Sequence, residues 1–247
     1  MEGLVWRGLH AAVDIILPRE CVVCGGRLLS EERELCLKCL SDMPQTRFWE
    51  MSHNPMADKF NGIIQKNIGT EREAYAYASA LFFYHSDASF RKIPYQIKYE
   101  GNISAGRYFG NLLGRRLASS VLFENIDLIV PVPLHWARRW KRGYNQAEVI
   151  ASGIAEAMDV MMRSDLLVRT RRTASQTMMG VEAKMKNVSG AFAVSDLCSD
   201  VVCRHILIVD DVFTTGSTLW ACFNALRRVF PPSVRISVAT LAYVGGA

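Results

Sequence analysis

No stretch of the chain approaches the roughly 20 uninterrupted apolar residues needed to span a bilayer, so no membrane insertion is expected. The opening "MEGLVWRGLHAAVDIILP" lacks the basic start of a secretory signal, because Glu2 stands there and Asp14 interrupts the apolar part. It reads as a short amphipathic helix, and a cytoplasmic protein is the expectation. The string G-x-x-x-x-G-K-[ST] is absent, which excludes a P-loop; so is G-x-G-x-x-G, which excludes the usual dinucleotide fingerprint. Internal repeats and low-complexity tracts are also missing.

Half of the 247 residues are hydrophobic, enough for one substantial domain with a small appendage. Residues 1–45 form the appendage, 46–73 read as a polar, irregular connection, and 74–247 carry the main pattern. "AYAYASALFFY" has the roughly alternating aromatic look of one or two strands, and "RYFGNLLGRRLASSVLF" repeats apolar positions at helical spacing. "IDLIVPVP" is a short buried strand halted by prolines, "YNQAEVIASGIAEAMDV" a helix, and "HILIVDD" another buried strand. Leu219, Phe223, Leu226 and Phe230 then line one face of a helix that stops at Pro231-Pro232, before a final strand in "RISVATLAYV". Strands alternating with helices predict an α/β fold, a mostly parallel sheet with helices on both faces.

The net charge of +5 is localised. Between Pro131 and Asn187 stand ten Lys and Arg against five Asp and Glu, which accounts for the whole surplus. Such a cluster, set beside glycines and prolines, usually faces an anion: a phosphate-rich small molecule or a nucleic acid.

Seven cysteines fall into two sets. Cys198, Cys203 and Cys222 are scattered and read as small packing residues. Cys21, Cys24, Cys36 and Cys39 form C-x₂-C-x₁₁-C-x₂-C, two knuckles with glycine after the first. That spacing suits four thiolates around a structural Zn²⁺, in a compartment where disulfides are disfavoured. His53 is too far along the chain to be needed as a ligand.

"HILIVDDVFTTGST" (205–218) carries the clearest chemical signal. An apolar run ends in Asp210 and Asp211 and passes into hydroxyl residues around Gly216. In open α/β sheets, ligands bind where strands end at their carboxyl edge. Thr214, Thr215, Gly216, Ser217 and Thr218 can wrap an anion with backbone N–H groups, with a helix N-terminus starting near Ser217 aimed at the same point. Carboxylates beside a phosphate cradle suit a ligand with both a phosphate and neutral hydroxyls, as a ribose phosphate has. A response-regulator receiver begins similarly, but its functional Asp and Lys lie on later strands, and 36 residues after Asp211 are too few for them.

"ILIVDDVFTTGSTL" resembles the signature of type I phosphoribosyltransferases, which bind phosphoribosyl pyrophosphate (PRPP) through a strand, two acids and a threonine-glycine loop. "PVPLHWARRWKRGYNQA" (131–147), "IKYEGN" (97–102), "RTRRTASQT" (169–177), "KNVSGAF" (186–192) and the four cysteines narrow the resemblance to the ComF family. Its members resemble amidophosphoribosyltransferases and include proteins needed for DNA uptake in competent bacteria. The resemblance runs over nearly the whole chain and implies a type I phosphoribosyltransferase fold with an N-terminal zinc ribbon. Asp210 and Asp211 would handle ribose and Mg²⁺, the loop Thr214–Thr218 would hold the 5′-phosphate, and a base-recognising hood would lie within 74–105.

For the pyrophosphate, Arg138, Arg139, Lys141 and Arg142 supply charge and guanidinium forks, with Asn145 and Gln146 following at the next helix. Lys98 matches a family position and could reach the same anion. Gln176 and Asn187 match the family's pattern within 169–187, a candidate closing loop. Lys184 keeps the charge of the family's usual arginine but loses the bidentate fork. Trp136 and Trp140 bracket the arginines and are expected to pack. Two functions follow: a PRPP-binding protein that transfers the phosphoribosyl group to an acceptor, or a non-catalytic DNA-uptake protein that grips a nucleotide-like ligand or single-stranded DNA. No residue stands out as a general base.

Overall fold

A computed structural model describes residues 18–69, 73–84, 89–170, 190–195 and 201–245, apart from the Lys141 side chain. The amphipathic start, Cys198, and Gln176, Lys184 and Asn187 of the expected closing loop lie outside those residues. Four apolar runs form one sheet: β1 (Ala78–Phe83), β2 (Leu128–Pro131), β5 (His205–Phe213) and β6 (Arg235–Tyr243). Its order is β1-β6-β5-β2, and every pair is parallel. Two short strands, β3 (Leu167–Arg169) and β4 (Phe192–Val194), make a separate antiparallel ribbon at either end of the expected closing loop.

Both sheet faces are buried, as parallel strands require. On one face Ile206, Ile208 and Val238 pack with Phe60 and Phe223; on the other Leu207, Val209 and Leu241 pack with Phe109 and Ile154. The helices supplying these residues are α2 (Pro55–Ile68), α4 (Ile103–Ala118), α6 (Gln146–Met158) and α7 (Ser217–Arg227). The expected mostly parallel sheet flanked by helices is therefore present.

Helix α2 lies inside the stretch 46–73 that reads as irregular. Asn54 Oδ1 accepts the Ala57 N–H at 2.9 Å, Pro55 opens the helix, and Met56, Phe60 and Ile64 face the core. Helices α4 and α6 meet backbone to backbone: a Cβ on Gly110 would fall 2.2 Å from the Ile150 carbonyl oxygen, and one on Gly153 would fall 2.2 Å from that of Arg107.

Between β1 and α4 the chain forms a short helix, α3 (Lys92–Tyr95), which runs into a π turn over Gln96–Glu100. After β2, His135 caps the arginine-rich helix α5 (Trp136–Arg142), its Nδ1 facing the Ala137 N–H at 3.2 Å. At the N-terminal end lie the cysteine knuckles and a short helix, α1 (Leu37–Ser41). Among the described residues, no helix is long and apolar enough to cross a membrane.

Candidate functional site

Strands β2 and β5 are neighbours, with Pro131 opposite Val209, so the segments leaving their carboxyl ends start side by side. One leads to α5 with its arginines; the other carries the aspartates. This adjacency brings together groups some 70 positions apart in the chain.

Strand β5 extends further than its apolar run. Asp210 pairs with Thr240 and Val212 with Ala242, because the long strand β6 carries the ladder on to Phe213. The aspartates therefore stand within the last turn of the strand, and the reversal itself is Thr214–Gly216. Alternation places Asp210 with Ile206 and Ile208, and Asp211 with Leu207 and Val209, so the two carboxylates leave opposite sides of one strand. Each also braces its own backbone: Asp210 Oδ1 accepts the Asp211 N–H at 2.9 Å, and Asp211 Oδ1 accepts the Val212 N–H at 2.8 Å.

Burial pushes the Asp210 carboxyl up to about 8, and the neighbouring Asp211 charge adds to this; the Asp211 N–H, Lys98 and Arg169 pull the other way. Asp211 is buried, and its Oδ2 accepts no hydrogen bond from the described residues. The nearest cation is Lys98, whose Nζ is 3.8 Å from that oxygen. Lys98 comes from the π turn, a geometry frequent at functional sites.

The hydroxyl loop turns at Gly216 directly into α7. Gly216 sits at φ +78° as the N-cap of α7, and a Cβ there would meet Ile63 Cδ1 and Phe213 Cζ at 3.0 Å, so the position requires glycine. Gly216 offers no side chain to cap α7, and the Thr215 hydroxyl accepts the Ser217 N–H only at 3.5 Å. Thr215 and Ser217 join their hydroxyls at 2.9 Å, Thr214 is exposed, and Thr218 lies on the first helical turn.

Among the basic residues, Arg142 donates to Gln146 Oε1 and lies over the Tyr99 ring at 5.7 Å. Lys98 lies over the same ring at 5.8 Å, so Arg142, Lys98 and Asp211 form one connected group. Arg139 reaches Glu148 at 3.4 Å, and Arg138 is exposed. Asn145 is committed to architecture: Nδ2 donates to Val132 O at 3.0 Å, and Oδ1 accepts the Ala147 N–H at the start of α6. The two tryptophans do not pack as expected: Trp136 is 73% exposed and Trp140 90%, because α5 turns them outward.

Two cations went unread in the sequence. Lys59 of α2 donates from Nζ to Thr214 O at 2.8 Å and lies over the Phe213 ring, clasping the loop from a helix 155 positions away; burial lowers its pKa. Arg169 of β3 lies near Asp210 and Arg138; burial and then Arg138 lower its pKa, while Cys222 and Asp210 raise it. Only the polar face of α2, marked by its Asn-Pro cap, could have hinted at Lys59.

The four cysteines come together as their spacing predicts. Their sulfurs all lie within 4.8 Å of one another. A zinc tetrathiolate with bonds of about 2.3 Å has sulfur–sulfur edges of about 3.8 Å, and Cys24 Sγ and Cys36 Sγ are 3.8 Å apart. Backbone N–H groups of Gly26, Cys36 and Cys39 point at three of the sulfurs, the support that thiolate ligands need. Burial alone would raise the Cys21 thiol, but N–H groups from Cys24, Cys36 and Val23 outweigh it and bring it down to about 7. The donor set fits a structural metal ion.

The architecture is a parallel α/β sheet with acids, a hydroxyl loop and a basic helix at its carboxyl edge, joined to a four-cysteine cluster that could hold a metal ion. No family model matches it. Competence protein F of Haemophilus influenzae is 30% identical over 110 residues, 44% of this chain and 48% of that protein. The DNA utilization protein YhgH is 38% identical in Escherichia coli K12 and 37% in Salmonella typhi, each over 110 residues and 47% of the protein. The matched region thus spans about half the length of these curated relatives. The chain is homologous to the competence and DNA-utilization proteins over that region, which bears out the ComF resemblance. The solved structure of the allosteric regulatory enzyme of purine biosynthesis aligns with a TM-score of 0.37 at 19% identity, over 59% of this chain and 30% of that one. The fold described above rests on its own strands and helices, not on that alignment.

Proposed function

We propose that the carboxyl edge of the sheet binds a ribose 5-phosphate ester, PRPP with Mg²⁺, and that the site transfers the phosphoribosyl group to an acceptor with release of pyrophosphate. The observation that carries this reading is Asp211 Oδ2, buried and without a hydrogen bond from the described residues, beside Lys98 and two residues short of an anion-cradling loop. A ribose hydroxyl can donate to that oxygen while its 5′-phosphate accepts from the loop N–H groups and hydroxyls. Asp211, on the Lys98 side of the strand, would handle the ribose and Mg²⁺, an ion that when bound supplies charge to the pyrophosphate oxygens; Asp210 leaves the opposite side and would not share that ion.

In such a transfer the acceptor's lone pair forms a bond to the anomeric carbon as the carbon–oxygen bond to pyrophosphate breaks. The chain's share is to orient the sugar and neutralise the departing anion, a task suited to Lys98, Arg138 and Arg142. Isothermal titration with Mg²⁺-PRPP tests the reading. The wild type should bind in the micromolar range, and the double variant Asp210→Asn, Asp211→Asn should show no heat of binding. Equal affinity in both proteins overturns it.

A second reading, single-stranded DNA on α5, draws on the exposure of Trp136 and Trp140 on either side of Arg138 and Arg139 and on the names of the relatives. It requires oligonucleotide affinity that falls steeply with salt, drops on Trp140→Ala, and ignores the aspartate changes.

A further inference from the structure

The cysteine ribbon is fastened to the turn that carries Lys98. Val23 lies between the first two cysteines, and its carbonyl accepts from Lys92 Nζ at 2.9 Å, from the start of α3. Ser104, at the start of α4, donates to Glu34 Oε1 between the two knuckles. These bonds bracket the π turn on either side in sequence. Beneath them Val22, Val23 and Leu28 share one buried cluster with Ile93, Ile97 and Phe109, and Ile97 is the residue before Lys98. A π turn has poor intrinsic stability and persists where its surroundings hold it. Here the surroundings include Tyr144, whose hydroxyl donates to the Ile97 carbonyl, and the first knuckle with its flank.

We propose that the metal-loaded ribbon is a positioning element for the carboxylate site, holding the π turn from outside and so setting Lys98 against Asp211. The proposal deepens the function argued above and rests on it for the identity of the ligand. Without metal the loop between Cys21 and Cys24 loses its closure, and with it the fixed Val23 carbonyl and the apolar floor under Ile97. Linkage then works in both directions: a ligand that engages Lys98 and Asp211 raises the metal's affinity by the factor by which the metal raises the ligand's affinity.

The test compares zinc-loaded protein, protein stripped with an organomercurial and a chelator, and the zinc-loaded double variant Lys92→Met, Ser104→Ala, which keeps all four cysteines. Amide exchange of residues 96–102 and the affinity for Mg²⁺-PRPP are read in each. Stripping should raise exchange in the turn and weaken PRPP roughly ten-fold, the tether variant should do the same with its zinc retained, and Lys92→Arg should restore most of the loss. PRPP should also shift the zinc equilibrium with a chromogenic chelator toward the protein. Unchanged exchange in 96–102 after stripping overturns the proposal, whatever the double variant does. If the loaded wild type does not bind PRPP, the functional reading fails, and the exchange data still decide whether the ribbon holds the turn.

Discussion

Replacing Gly110 by alanine sets two known quantities against each other. Inside a helix, alanine is favoured over glycine by about 1 kcal/mol. Against this, the added Cβ would lie 2.2 Å from the Ile150 carbonyl oxygen and 3.0 Å from its carbon, both backbone atoms of α6. Ordinary carbon–oxygen contacts begin at about 3.3 Å, so α4 and α6 must part by about 1 Å. Overpacking of this kind costs roughly 1–3 kcal/mol, and a rigid opposing backbone sets it at or above the upper end. The net expectation is a loss of about 2 kcal/mol, or about 4–8 °C in Tm for a chain of this size.

Gly62 supplies the control. It also lies inside a helix, but nothing stands within 4 Å of its Cβ position, so Gly62→Ala should stabilise by about 0.5–1 kcal/mol. Urea unfolding of the zinc-loaded proteins, followed by tryptophan fluorescence and far-UV circular dichroism, compares the three. If Gly110→Ala proves as stable as Gly62→Ala, the helices do not touch as described and the reasoning fails.

Three further outcomes are expected. Lys59→Met removes the bond to the Thr214 carbonyl and should weaken Mg²⁺-PRPP binding by about ten-fold or more, as loss of a charged hydrogen bond implies; titration calorimetry showing no change would remove Lys59 from the site. Burial, reinforced by Arg235, holds His205 down at about 4 from 6.5, so the unfolded chain takes the proton first and stability falls as pH drops through that window. The loss is about 3 kcal/mol between pH 6.5 and 4. Asp210, raised to about 8, acts in the opposite sense in both proteins, so the difference between wild type and His205→Gln isolates the histidine, and parallel stability–pH curves would contradict the assignment. Glu73 pairs with Arg227 with both side chains buried, at 4% and 8% exposure. Glu73→Gln should cost roughly 3 kcal/mol while Glu73→Leu with Arg227→Met costs much less, a contrast that denaturant titration reads directly.

Much of the fold is legible where one local pattern decides it. The apolar runs of β2, β5 and β6, the periodic faces of α4, α6 and α7, and the cysteine spacing each announce their structure without outside help. Helix α2 is harder to see, because its surroundings are polar and its inward row is only Met56, Phe60 and Ile64. The extension of β5 past the aspartates depends on the length of β6, a partner invisible from the strand itself. Lys59 and Arg169 reach the site through contacts made only after folding, whereas Asp210, Asp211 and Gly216 sit in one short string. Trp136 and Trp140 show the converse limit: an aromatic residue in a basic stretch carries no mark of which way its helix will turn.

The strand order also bears on how the chain is made. The first and second strands of the sheet to be synthesised, β1 and β2, are not neighbours; the two that separate them, β5 and β6, leave the ribosome last. From the end of β1 to the start of β6 is roughly 150 residues, about 10–30 s at typical rates of elongation. Throughout that interval β1 lacks its β6 partner, with residues 44–46 meeting only its other edge, and Ala78–Phe83 becomes the point at which a stalled nascent chain is open to capture by chaperones or by other unfinished chains.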